Sequence, residues 1–508
     1  MERVYVILVL FCLLAGPQAS FGDEGMWTFD NPPLKQWKER YNFEPSAGWL
    51  DKVRLASVRL NDGGSASFVS PNGLIITNQH VANGQLSKMS AKEKDYVKDG
   101  FYAPIREQEV KVADLEANVL VSFEDVTARV QAAVKDPKLA SEQRKAVSAE
   151  IEKDCAAKTQ LKCEVISFYS GGEYWLYRFK KYTDIRIVFA PEEQISFFGG
   201  DYDNFTYPRY DLDITFLRAY ENGNPAETPN YFKWSEKGAD DGEFIIVPGN
   251  PGSTARLLTV SQLKYQRDVG NELQKKIWET RLNALVAYSK LGTEQHRQAS
   301  PTIRSMNNSL KRLAGQQEGL LNPRQFGKKE AEEKALLDGL AKKPEANRQF
   351  APAWDEVSKA YSKLPAIAPR IAFSTLITSR FGDIASKIVR YTDEVKKPND
   401  QRYDEFRDNR LESFKFALLS PAPIYPEMEE AGLIAWMNEA VKTLGRNDPF
   451  VKAALGDSEV SEVVGRAIRE TRLKDVTFRK ELLDGGADAV AKSTDPMITL
   501  ARRVEPVI

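Results

Sequence analysis

The chain has 508 residues and only two histidines, His80 and His296. Chemistry that needs an imidazole therefore has two candidates. His80 lies in GGSASFVSPNGLIITNQHVANG, Gly63 to Gly84. There the run Ala66–Ser70 turns at Pro71-Asn72-Gly73 into a second run, Leu74–Asn78, and the imidazole follows at once. The pattern predicts a hairpin with His80 on the loop just past its second strand, facing a cleft as a general base. His296, in GTEQHRQ, reads as a solvated helix residue. An imidazole has an unperturbed pKa of ~6.5, and as a base it needs a carboxylate to fix its tautomer and stabilise the imidazolium. The window SFFGGDYDNFTYPRYDLDITFLRAYENG, Ser196 to Gly223, supplies Asp201, Asp203, Asp211 and Asp213. Asp213 opens the strand-like run ITFLRAY, and Asp211 alternates with it, so spacing leaves both as orienters. Asx-turn capping is the structural alternative for all four. Two histidines and three cysteines exclude a His-rich metal site and a Cys₄ zinc site. No metal or cofactor is expected.

The elements that must position these residues divide the chain. From Trp27 to about Val260 short runs rich in Val, Ile, Phe and Tyr are bounded by Gly, Pro and Asn: SASFVS, LIITN, NVLVSF, DIRIVFA, DITFLRAY and EFIIV. Two charged stretches read as helical insertions, SKMSAKEKDYVKDGFY and Thr127 to Lys158. The expected fold is a β-barrel plus α-helices. Residues 23–260 form the barrel part and residues 261–508 a large all-α domain, broken near Pro323, Pro344 and Pro421.

At the N-terminus the 12-residue apolar run Val4–Ala15 is too short to span a bilayer at ~20 residues. Small residues follow it, so residues 1–22 read as a secretory signal rather than a stable membrane anchor. The mature chain then holds Cys155 and Cys163. Export to the periplasm or outside the cell predicts a local disulfide between them. With 71 Lys+Arg against 72 Asp+Glu, net charge −1, the electrostatic footprint of a nucleic-acid binder is missing.

Several stretches carry a family resemblance: GMWTFDNPP, SASFVSPNGLIITNQHV, SFYSGGEYWLYRFKKYTDIRIVFAPE, FGGDYDNFTYPRYDLDITFLRAYENG, VPGNPGSTARL and GGADAVAKSTDPMITLARRV. The chain resembles the bacterial serine dipeptidyl-peptidases typified by dipeptidyl-peptidases 7 and 11, over nearly its whole mature length. The resemblance implies a chymotrypsin-like double barrel with a helical domain inserted before the second barrel. It places the base on His80, the aspartate on Asp213, and the binder of the substrate's free α-amine on Asn204. Phe205 stands where characterised members carry Trp. Such enzymes pair as homodimers and act on peptides with a free N-terminus.

The family nucleophile sits in a G-N-S-G-S type loop of the second barrel, and no such loop occurs here. In the nearest look-alike, GNPGST from Gly249 to Thr254, Pro251 holds the nucleophile position and Ser253 is two residues away, so it reads as a turn. Gly63-Gly64-Ser65 is an equally poor nucleophile loop. The expectation is a serine dipeptidyl aminopeptidase whose base and aspartate lie here and whose serine and second barrel lie beyond residue 508. On that reading the 508-residue chain alone is inactive. The alternative is a catalytically inactive peptide-binding remnant.

Overall fold

The computed structural model describes Asp23 and residues 25–252, 255 and 257–508. The expected signal segment, residues 1–22, and Ser253 lie outside the described residues. Eleven strands run between residues 57 and 225: β1 Ser57–Leu60, β2 Gly64–Phe68, β3 Leu74–Thr77, β4 Phe101–Tyr102, β5 Val110–Lys111, β6 Ala117–Asp125, β7 Lys162–Phe168, β8 Glu173–Tyr182, β9 Asp184–Ala190, β10 Thr215–Glu221 and β11 Asn224–Pro225. They form one sheet in the order β4-β9-β10-β3-β2-β1-β6-β8-β7, with β11 added to β10 and β5 to β9. The pairings are antiparallel.

Alternate residues of these strands bury one face, as the two-residue period of a strand requires. Val58, Leu60, Phe68, Ile75, Ile187 and Leu217 all enter one core cluster. Phe68 on β2 and Tyr182 on β8 meet edge to face at 6.0 Å although their strands are not neighbours in the sheet. The sheet is therefore curled around a shared interior.

The β2–β3 hairpin is held by its turn. Ser70 Oγ accepts from the Asn72 and Leu74 N–H groups, both at 3.2 Å. Thr228 Oγ1 accepts from the Gly73 N–H at 2.9 Å and donates to the Ser70 carbonyl at 2.8 Å. Gly73 has φ +68°, and a Cβ there would meet the Ala219 carbonyl of β10 at 2.6 Å, so only glycine lets the hairpin lie this close to β10.

Two segments differ from expectation. Residues 87–102 are not one helix: only 87–89, the end of the helix Gln79–Met89, are helical, and β4 follows at Phe101. Ser90 Oγ donates to the Leu86 carbonyl and accepts from the Tyr96 N–H, and Asp95 Oδ1 accepts from the Val97 and Lys98 N–H groups. These side chains offer the backbone an alternative to the helical ladder. EFIIV, residues 243–247, is not a strand. It pairs with no strand among the described residues, Ile245 and Val247 stay exposed, and Phe244 stacks on Tyr41 at 4.2 Å. An apolar run becomes a strand only where a free edge receives its backbone hydrogen bonds.

The helix Ala140–Thr159 packs on β7, with Ile151, Cys155, Cys163 and Leu176 in one cluster. Cys155 and Cys163 are joined, their Cα atoms 6.1 Å apart. From Val260 onward every described α-element is a helix or a helical turn, with Pro323 and Pro344 opening helices at N-terminal positions where a missing N–H costs nothing. Residues between Phe373 and Val504 share a single core, and among the described residues no helix is long and apolar enough to cross a membrane. The helix Thr293–Leu321, 29 residues and about 43 Å long, reaches back from this half to residues 193–204.

Candidate active site

Antiparallel register brings the two ends of the site together. Thr77 on β3 pairs with Thr215 on β10. Continuing that register by two residues sets Asp213, just before β10, beside Gln79 and His80, just after β3. His80 is not on a loop: it is the second residue of the helix Gln79–Met89. The chain turns from strand to helix at Asn78, an extended residue whose own side chain does not cap the helix.

Asp213 supplies that cap from the neighbouring strand. Its Oδ1 accepts the His80 backbone N–H at 2.9 Å, and its Oδ2 meets His80 Nδ1 at 2.5 Å. Asn78 Nδ2 donates to Asp213 Oδ2 at 3.1 Å and to the Asp213 carbonyl at 3.2 Å. One carboxylate thus caps a helix N-terminus, where negative charge is favoured, and orients the imidazole. An ionised carboxylate only accepts, so the neutral ring donates from Nδ1 and leaves Nε2 bare as a proton acceptor. Burial acts to raise the Asp213 pKa, but the His80 ring, the His80 N–H and the Asn78 amide outweigh it and hold the carboxyl below the usual carboxylate range. The His80 side chain is 66% exposed, so its bare edge faces solvent; among the described residues nothing is hydrogen-bonded to Nε2.

Of the other acids, the Asp211 and Asp201 carboxylates are engaged elsewhere. Asp211 pairs with Arg209 at 3.0 Å, not with His80. Asp201 Oδ2 accepts from Asn307 Nδ2 at 2.9 Å, and the Asp203 carbonyl caps the turn at the Thr206 N–H at 2.9 Å. Asn204 donates from Nδ2 to Asn308 Oδ1 at 3.0 Å and accepts at Oδ1 from Arg209 at 3.3 Å. Phe205 has φ +61° and is exposed. A bulky residue in the left-handed region is strained, and such strain gathers at ligand-binding loops. Ser65 Oγ accepts the Asn250 N–H at 2.6 Å, which ties the GNPG turn to the β1–β2 hairpin. His296 lies exposed on the helix Thr293–Leu321.

Sequence reasoning missed Asn308 and Arg209. Asn308 is 104 residues from Asn204, and nothing local marks it. Arg209, in PRYDLD, had a signal: a cation between two candidate acids and a candidate amide.

A family model described as Peptidase S46 matches residues 22–507. The chain is 28% identical over 385 residues to a dipeptidyl-peptidase 7 of Phocaeicola vulgatus, covering 70% of this chain and 53% of that one. It is 26% identical over 459 residues to an Asp/Glu-specific dipeptidyl-peptidase of Shewanella putrefaciens, covering 86% and 62%. It therefore spans between half and two-thirds of the length of these curated relatives. The crystal structure of Porphyromonas endodontalis DPP11 in complex with the dipeptide Arg-Glu superimposes with a TM-score of 0.72 at 21% identity, covering 95% of this chain and 73% of that one. That likeness shows the fold: a large antiparallel sheet with many helices.

Proposed function

The chain belongs to the peptidase S46 family, and from that premise we propose that it is the base-bearing part of a serine-type dipeptidyl aminopeptidase. The observation that carries the reading is the His80–Asp213 couple, Nδ1 to Oδ2 at 2.5 Å, with the ring's other nitrogen bare. The names of the relatives, dipeptidyl-peptidase 7 and Asp/Glu-specific dipeptidyl-peptidase, support the substrate class. The curled sheet is read as the first barrel of a chymotrypsin-like pair, with residues 23–260 as its unit and residues 261–508 as the helical unit. The nucleophile is a serine outside these 508 residues.

In the proposed reaction His80 Nε2 takes the serine proton as the serine oxygen attacks the carbonyl carbon after the second residue. Asp213 stabilises the imidazolium that forms, and His80 then returns the proton to the leaving amine. Water repeats the cycle on the acyl-enzyme. Asn204 Oδ1 and Asn308 Oδ1 each keep acceptor capacity for the N–H groups of a protonated α-amine. Holding that amine a fixed distance from His80 sets the cut after two residues, and Phe205 lies beside the anchor. The Cys155–Cys163 pairing supports an oxidising compartment, periplasmic or extracellular.

The test is mass spectrometry of peptide digests. A chain extended to include the proposed serine releases dipeptides from peptides with a free N-terminus and leaves their N-acetylated forms intact, and the 508-residue chain releases none. Single-residue products, or cleavage of the acetylated peptides, refute the reading. The alternative, an inactive peptide-binding remnant, keeps the amine anchor at Asn204 without cleavage. It predicts that dipeptides bind, with loss of binding in Asn204→Ala, and that no extended chain cleaves.

A further inference from the structure

A polar cavity in the helical half does not have His80 among its lining residues. It has a volume of about 260 Å³ between the helices Asn271–Ser289 and Thr293–Leu321 and the segment around Thr378. Its polar wall is Arg281, Thr302, Ser305, Ser309 and Thr378. Its apolar wall is Ile277, Trp278, Met306 and Trp436.

The polar wall has no hydrogen-bonding partner from the protein's other side chains among the described residues. Arg281 makes no hydrogen bond or ion pair among the described residues, although burial works against its charge. Its one acidic influence, Glu429, acts only at longer range, and that carboxylate accepts instead the Arg380 N–H at 2.6 Å. Thr378 Oγ1 is buried with no partner. The hydroxyls of Thr302 and Ser309, half-buried, and of Ser305, exposed, have no partner among the described residues either, not even the preceding helical turn. A guanidinium has donors and no acceptor, and the half-buried Arg281 has no carboxylate bonded to it among the described residues. Convergent hydroxyl donors around a fork-shaped cation match the oxygens of a carboxylate or phosphate group. The volume is several times that of the single water that would otherwise bridge these groups.

From this geometry we propose that the Arg281 cavity is a binding site for a small oxyanion, a carboxylate or phosphate group, distinct from the His80 site. Thr302, Ser305, Met306 and Ser309 occupy one face of their helix at i, i+3, i+4 and i+7. Arg304, Asn307, Asn308 and Lys311 occupy the face about half a turn away and hold the Glu193–Asn204 segment. One helix thus carries the oxyanion pocket on one side and the amine anchor on the other.

The test measures thermal unfolding and calorimetric binding of the 508-residue chain with inorganic phosphate or acetate, ionic strength held constant with chloride. A saturable one-to-one response is expected from at least one anion, and which one responds distinguishes phosphate from carboxylate chemistry. Arg281→Gln weakens that binding about tenfold or more, and Ser309→Ala about fivefold. The unliganded melting temperature of Arg281→Gln stays level or rises, because a half-buried charge with no bonded counter-charge is gone. No saturation by either anion, or equal binding by Ser309→Ala and Arg281→Gln and the parent, overturns the proposal. So does an Arg281→Gln protein with a lower melting temperature and undiminished anion binding, which marks Arg281 as structural. Because binding is read without peptide hydrolysis, failure here is separable from failure of the peptidase reading.

Discussion

The two parts of the candidate site are held by different means. His80 and Asp213 sit at the ends of adjacent paired strands, β3 and β10, above a core where Ile75 and Leu217 are fully buried. Asn204 and Phe205 sit on an exposed loop whose partners come from the helix Thr293–Leu321, more than a hundred residues away. Where strand register sets the geometry, the proposed base and its carboxylate are aligned by the sheet itself. Where a distant helix sets it, the anchor depends on docking between the two halves of the chain. On the proposed reading, chemistry is built on the strand-held part and recognition on the part held by a distant helix.

The contrast can be broken most strongly at Asp213. In a chain carrying the proposed serine, Asp213→Asn lowers kcat/KM by about 10⁴, because an amide can donate to Nδ1 and permits the wrong tautomer. The effect falls in kcat and is read from chromogenic dipeptide hydrolysis. Asn204→Ala lowers kcat/KM by roughly 10- to 100-fold through KM, since it deletes one charge-assisted hydrogen bond to the substrate amine. A smaller change tests the docking itself. Arg304→Ala with Lys311→Ala frees the Glu193–Asn204 segment. It raises KM about fivefold, at about 1 kcal/mol, and speeds hydrogen exchange across residues 193–204. Exchange at His80 stays unchanged if the two parts are independent.

The weakest effect sharpens the comparison through pH. Asp213 has a depressed folded pKa, so its contribution to stability is full above the unfolded carboxylate value of ~3.9 and fades as pH falls through the folded value. Glu429, in the helical half, is raised by burial, against the Arg380 N–H. The native state then holds its proton longer than the unfolded state, and stability falls as pH rises from the unfolded value of ~4.3 through the folded one. In urea midpoints measured across acid pH, Asp213→Asn flattens the loss below about pH 4, and Glu429→Gln flattens the loss above it. A common slope change in both variants would erase the distinction between the regions.

What the sequence revealed follows the range of the forces involved. The run 184–190 coincides with β9, and the Pro71-Asn72-Gly73 turn could be read because its chemistry is local. His80 was placed near its strand but on a loop, because the cap that starts its helix comes from Asp213, 133 residues away. Spacing left Asp211 and Asp213 open, and the choice rests on strand register and on Arg209, which claims Asp211. The segment 87–102 misleads because its charged, lysine-rich run reads as a helix while Ser90 and Asp95 bind the backbone otherwise. Asn308 and the Arg281 cavity arise only from packing between helices, which has no signature in a single stretch of chain.

The central claim is that Asp213 locks His80 into the tautomer of a general base. With only two histidines in the chain, His296→Gln leaves one imidazole to observe. Nitrogen-15 NMR of that ring in its neutral form reports directly which nitrogen carries the proton. The account predicts protonated Nδ1 and bare Nε2, reverting to a solution-like mixture in Asp213→Asn. A ring protonated on Nε2, or one indifferent to Asp213→Asn, would contradict it.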